Sequence, residues 1–202
     1  MIKLFSPYFD KNEENAVIKT LESGVWASGA GTNRVAEFEE AFRKYIGSEE
    51  CVSVNSGTAA LNLALLQFDI KNKQVLVPSL TFVSTISAIL LAGAKPIFVD
   101  VNKQTLCLDT DDLKKKITRK SSLILPVHFG GLPSDLSEIN KISEKNHIPI
   151  VEDAAHAAGA KFGKKNIGSH SEVICFSFHP VKNLSMPTGG AIRSEEHTSE
   201  LQ

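Results

Sequence analysis

Short apolar runs alternate with longer amphipathic stretches along most of the chain. The runs Cys51 to Val54, Val75 to Val77, Pro96 to Val99, Leu123 to Val127, Ile148 to Glu152 and Val173 to Phe176 have strand length and are rich in β-branched residues. Between them, Thr58 to Phe68, Phe82 to Ala92, Asp111 to Thr118 and Ser134 to Asn146 have helical length and period. Two amphipathic helices precede this series, Glu13 to Ser23 and Arg34 to Ile46, the second with Val35, Phe38, Ala41, Phe42 and Tyr45 on one stripe. Repeated strand-helix-strand units predict an α/β fold of three layers, a mainly parallel sheet covered by helices on both faces. Ligands of such sheets gather at the carboxyl ends of the strands, where polar groups are presented without interrupting the core. Here those ends carry Asn55-Ser56-Gly57-Thr58, Pro78-Ser79, Asp100, His128 and Asp153.

Composition narrows the function classes. With 42% hydrophobic residues and a formal net charge of −1, the chain is ordinary globular material with no general pull toward nucleic acid or anionic membrane. The basic run Lys114-Lys115-Lys116 follows Asp111 and Asp112 and reads as a solvated helix face. Cys51, Cys107 and Cys175 are far apart and form no CxxC pair, which argues against a disulfide framework or zinc site and fits a reducing cytoplasm. The N-terminus lacks the apolar core of a signal peptide. The longest apolar stretch, Phe82 to Ala94, is interrupted by Ser84, Thr85 and Ser87, is too short to cross a bilayer and reads as a buried helix. The glycine-rich stretch from Gly24 to Gly31, with Trp26 inside it, is either a connector or a loop shaped to lie against a ligand.

Three segments at strand ends carry candidate chemistry. Ser56-Gly57-Thr58-Ala59-Ala60 follows a strand and opens a helix, so its free N–H groups suit a phosphate, although a helix cap uses the same residues. It is neither a Walker loop nor a GxGxxG dinucleotide pattern. Asp153 closes an apolar strand with His156 three residues on, placed either to balance a cationic ligand nitrogen or to cap the next segment. In Phe176-Ser177-Phe178-His179-Pro180-Val181-Lys182-Asn183, a lone lysine follows an aromatic strand end and precedes Gly189-Gly190. A lysine drawn out of water becomes a nucleophile able to form a Schiff base, whereas one in a surface loop does not. Pyridoxal phosphate needs an anion cradle, a carboxylate for its pyridine nitrogen, a flat partner for its ring and a lysine for its aldehyde. The sequence offers one candidate for each.

These segments, together with Thr81-Phe82-Val83-Ser84-Thr85, resemble the signature blocks of the DegT/StrS family of sugar aminotransferases, fold-type I enzymes dependent on pyridoxal phosphate. The likeness runs in order from about Phe5 to Ile192, and Val25-Trp26-Ala27-Ser28-Gly29 is similar to the family's N-terminal active-site loop. The resemblance implies that Lys182 bonds the cofactor and shuttles the proton of transamination, and that Asp153 pairs with the ring nitrogen. It further implies that Phe82 stacks on one ring face, His156 meets the other, and Gly57, Thr58 and Ser177 hold the phosphate. His128, His170 and His179 receive no role and are read as structural. The implied reaction is ping-pong, from an amino-acid donor such as glutamate to a nucleotide-linked keto-sugar, in a homodimer whose sites lie between subunits. Related dehydratases carry histidine at the lysine position, so Lys182 favours transamination over dehydration. A non-catalytic binding protein on the same scaffold is the reading from outside enzymology.

Two boundaries follow. Residues 1–192 are expected to form the large domain of such an enzyme, truncated before the small domain. The final ten residues, Arg193 to Gln202, turn abruptly polar where the family pattern continues an apolar strand, and they match the translation of a widely used sequencing-adapter read. They are expected to be non-native and to pack on nothing.

Overall fold

The computed structural model describes residues 6–26 and 34–194. In chain order the elements are α1 (Lys11–Ser23), α2 (Arg34–Ile46), β1 (Val52–Val54), α3 (Gly57–Leu66), β2 (Gln74–Pro78), α4 (Val83–Leu91), β3 (Lys95–Val99) and α5 (Thr110–Lys116). They continue with β4 (Ser121–Ile124), α6 (Leu136–Asn146), β5 (Val151–Asp153), β6 (Lys161–Phe162), β7 (Lys165–Asn166), β8 (Val173–Ser177) and β9 (Gly190–Ser194). Helix starts follow their caps: Asp10, Ser56, Asp109 and Asp135 each accept a hydrogen bond from a first-turn N–H of α1, α3, α5 and α6.

β2 lies parallel between β3 and β4, and β5 lies parallel to β8. Parallel bridges Ile124–Ile150 and Val127–Asp153 join the two groups. β9 runs antiparallel between β8 and β1, so the sheet order is β3-β2-β4-β5-β8-β9-β1. Because side chains alternate across a strand, Val75 and Val77 pack under α3 and α4 while Leu76 faces α5 and α6. At the other end Ile174 and Phe176 meet α2, where Phe42 makes edge contacts with Phe176 and Phe178 at ring distances of 5.1 and 5.2 Å. The expected three-layer fold is the one observed.

Some expectations change in detail. α4 is buried on one face only: Thr85, Ala88 and Ile89 are enclosed, whereas Val83, Leu90 and Leu91 are exposed. α1 has no buried residue and leaves Val17, Ile18 and Leu21 in solvent. The sequence suggested neither the β6/β7 hairpin nor an antiparallel strand inside the sheet. β9 also takes in the first two residues of the polar decapeptide, with Ser194 opposite Val173 and Arg193 opposite Ile174. Arg193 is buried and donates to the Ser171 carbonyl, so the start of that segment does pack. Main-chain pairing explains this, since a ladder accepts any residue with an N–H and a C=O. Residues 195–202 and 27–33 lie outside the described residues, the latter taking with them most of the glycine-rich stretch.

In the basic run, Lys114 reaches Glu138 at 2.8 Å and Lys116 reaches Asp112 at 3.0 Å, which balances its charge locally. Among the described residues no helix is long and apolar enough to cross a membrane.

Candidate active site

A cavity of ≈ 420 Å³ opens at the carboxyl ends of β1, β5 and β8, within the size range of small-molecule sites. Gly57, Thr58, Phe82, Asp153, His156, Ser177 and Lys182, the seven residues singled out from sequence, all line it.

One end of the cavity is built from the Ser56-Gly57-Thr58 turn. The Ser56 hydroxyl accepts from the Ala59 N–H at 3.1 Å, which leaves the first two N–H groups of α3 without a helical acceptor. Close approach requires glycine here: a Cβ on Gly57 would lie 2.7 Å from the Ser177 Cβ, and one on Gly190 would lie 2.7 Å from the Gly57 nitrogen. Two turns and a strand end are thereby drawn together around a concave set of donors, with the Ser177 hydroxyl beside them.

Asp153 ends β5 and is only 4% exposed. Its Oδ1 accepts from the Ala155 N–H at 3.1 Å, and its Oδ2 accepts from the Thr85 hydroxyl at 2.9 Å. Burial of a carboxylate is tolerable when its oxygens are paired in this way. Phe82 begins α4 in extended conformation and is 70% exposed, which sets its ring on the cavity rim. His156 stands on another wall, edge-on to Phe129 at 5.9 Å, and its Nδ1 accepts from the Gly130 N–H at 3.2 Å, so a neutral ring carries its proton on Nε2. Burial, followed by the neighbouring Lys182 cation, holds His156 below the ordinary histidine value, with Asp153 opposing.

Lys182 sits on an irregular segment, its N–H bonded to the His179 carbonyl at 2.8 Å. Half-burial lowers its ammonium below the ordinary lysine value, and the Asp153 carboxylate pulls the other way. A lysine of this kind has more neutral amine available than one in water.

The structure adds residues that the sequence did not single out. His179, left as structural, lines the cavity together with Thr81, Phe129 and Thr188. His128 is fully buried, its Nε2 2.6 Å from Oε2 of the equally buried Glu152, while its Nδ1 accepts from the Ser134 N–H. The His128–Glu152 pair was hidden because its two members are distant in sequence. His170 is on the surface against Phe162.

The residues present fit pyridoxal phosphate. A donor-lined end accepts a phosphate, a buried and already oriented carboxylate suits a pyridinium nitrogen, and an amine with a lowered pKa suits an aldehyde. Fold and cavity together are those of an α/β protein with a strand-end site suited to this cofactor.

The pattern of the DegT/DnrJ/EryC1/StrS aminotransferase family matches residues 7–200, and the chain belongs to this family. It is 38% identical over 192 residues to an uncharacterised protein of Methanocaldococcus jannaschii, a match covering 95% of this chain and 49% of that protein. Among solved structures, 3-amino-5-hydroxybenzoic acid synthase superposes with a TM-score of 0.89 at 32% identity, covering 97% of this chain and 52% of the other. AtS13 from Actinomadura melliaura gives a TM-score of 0.88 at 36% identity, covering 96% and 54%. A Streptococcus pneumoniae protein, Spr1654, named for sugar aminotransferase activity and solved in a PLP form, gives 0.87 at 30% identity, covering 97% and 53%. The chain therefore spans about half the length of the relatives it matches.

Proposed function

We propose that the chain supplies the cofactor-binding half of a pyridoxal-phosphate aminotransferase that moves an amino group from an amino acid, glutamate, to a nucleotide-linked keto-sugar. The observation that carries this reading is the convergence of Lys182, Asp153 and the Gly57 cradle on one cavity. When bound, the cofactor supplies an aldehyde that accepts the amino group and a ring that withdraws electrons from the reacting carbon. In this reading the N–H groups of Gly57 and Thr58 and the Ser177 hydroxyl bind the phosphate. Asp153 would keep a proton on the ring nitrogen, Phe82 and His156 would orient the ring from its two faces, and in each half-reaction the Lys182 amine would take up or return the proton at the substrate carbon that bears the amino group. The exposed apolar faces of α1 and α4 support a homodimeric parent in which further residues complete the site, and the three free cysteines support a reducing, cytoplasmic location. The 202-residue chain by itself is proposed to be inactive.

The test uses protein expressed from the complete gene, a 4-keto-sugar nucleotide and ¹⁵N-labelled glutamate, with product analysis by mass spectrometry. A sugar carrying the label is expected. Loss of a sugar hydroxyl without nitrogen gain would instead indicate a dehydratase, and cofactor binding without any turnover would indicate a binding protein.

A further inference from the structure

Asp153 is reached from a segment far away in the chain. Thr85 is completely buried in the first turn of α4, and its hydroxyl does not bond to its own helix. It lies 2.9 Å from Asp153 Oδ2 and 2.7 Å from the Thr81 hydroxyl. The polarity of this chain is fixed by elementary chemistry. An ionised carboxylate only accepts, so the single Thr85 proton points at Asp153, and the proton between the two threonines must come from Thr81. Each hydroxyl polarises the next, which strengthens the last bond. With the Ala155 N–H on Oδ1, both carboxylate oxygens are held laterally by donors, and the side chain is left one orientation.

We infer that Thr85, supported by Thr81, is a positioning residue that fixes the Asp153 carboxylate and keeps it aimed into the cavity, so that the site selects a ligand with a protonated ring nitrogen. This rests on the cofactor proposed above. Thr81 itself lines the cavity, and with its proton committed to Thr85 it offers only lone pairs there, so it accepts from whatever donor approaches. A threonine at position 85 thus does something for the carboxylate that valine, of the same shape, does not. Val at this buried position keeps the packing and loses the donor alone.

The experiment compares binding of pyridoxal phosphate with binding of its 1-deaza analogue, in which CH replaces the ring nitrogen, to the wild-type protein and to Thr85→Val, Thr85→Ser and Thr81→Val. Affinity is read by absorbance titration, with no turnover required. Wild type is expected to prefer the natural cofactor. Thr85→Val should lose that preference by about tenfold or more, the size expected for a bond to a charged group, with the analogue bound as before. Thr85→Ser should restore the preference to within about twofold, and Thr81→Val should lose less than Thr85→Val but in the same direction. Equal weakening of both ligands in Thr85→Val, or an unchanged preference in both valine variants, would overturn the assignment. If Thr85→Val does not fold, an unchanged preference in Thr81→Val overturns it alone. Failure of the wild type to bind either ligand would overturn the cofactor reading, and this inference with it.

Discussion

Lys182 sits between two opposing influences, burial that disfavours its charge and a carboxylate that favours it. Borohydride reduction of the protein with pyridoxal phosphate, followed by peptide mapping, should place the adduct on Lys182; an adduct on another lysine would refute the role. Lys182→Ala should abolish turnover yet leave non-covalent cofactor binding, because the cradle and Asp153 remain. The same variant removes the cation beside His156, so the histidine should titrate higher than in wild type. It should still stay below the ordinary 6.5, since burial is the larger cause. Imidazole NMR against pH reads this, and a downward shift would contradict the geometry. Asp153→Asn acts in the opposite sense on Lys182: removing the carboxylate removes the charge that favours the ammonium, so half-maximal covalent capture should move to lower pH. Turnover should fall on the order of 10²-fold or more, about 2.7 kcal/mol of barrier, since a neutral amide does not hold the ring proton. Near wild-type turnover would end the role assigned to Asp153.

At the scale of elements, the cradle depends on a space that admits no side chain. Gly57→Ala puts a methyl 2.7 Å from the Ser177 Cβ, so either α3 or the end of β8 must move. We expect the affinity for pyridoxal phosphate to drop about tenfold or more, with affinity for unphosphorylated pyridoxal almost unchanged. Parallel loss for both ligands would show that the turn does not hold the phosphate. This scale was also the most legible in the sequence. Among the described residues, the six α-helices and the six apolar strands were readable from periodicity, and Arg34–Ile46 was placed to the residue. The β6/β7 hairpin was not, because strands of two residues each carry too little alternation to register. The polar strand ends Thr58, Asp153 and Ser177 pointed to the cavity, since a parallel sheet presents its strand termini on one side. Thr85 was invisible as a partner of Asp153 because 68 positions separate them, and the pairing of His128 with Glu152 needed a bridge between β4 and β5 that no local pattern announces.

For the molecule as a whole, charge and apolar surface bear on what the chain is. Arg193 occupies a buried strand position next to Ile192 and donates to the Ser171 carbonyl. The abrupt polar turn of the sequence after Ile192 is what supports the proposal that the run from Arg193 to Gln202 is not native. Re-amplifying the source gene across codon 193 should give a different, more apolar continuation; an unchanged read would show the decapeptide to be real. The 202-residue chain, with Val17, Leu21, Leu90 and Leu91 in solvent, is expected to bind an apolar dye such as ANS far more strongly than protein from the complete gene. Comparable dye binding by the two would argue against a buried destination for those faces.

The place of β9 has a further consequence, for the order in which the molecule is assembled. Among the described strands β1 is joined to the sheet through β9 alone, and Gly190 rests against the Ser56-Gly57 backbone. The anion cradle is thus encoded early in the chain and closed late. At ordinary rates of synthesis, on the order of ten seconds pass between the emergence of Thr58 and that of Gly190. During that interval β2 to β5 are available to pair with one another and α3 can pack on β2 and α4, while β1 waits for β9. A chain that has β2 to β8 but not yet β9 would have Asp153 and Lys182 without the strand that rests against the cradle, so capture of a phosphorylated ligand is expected to await the pairing of β9.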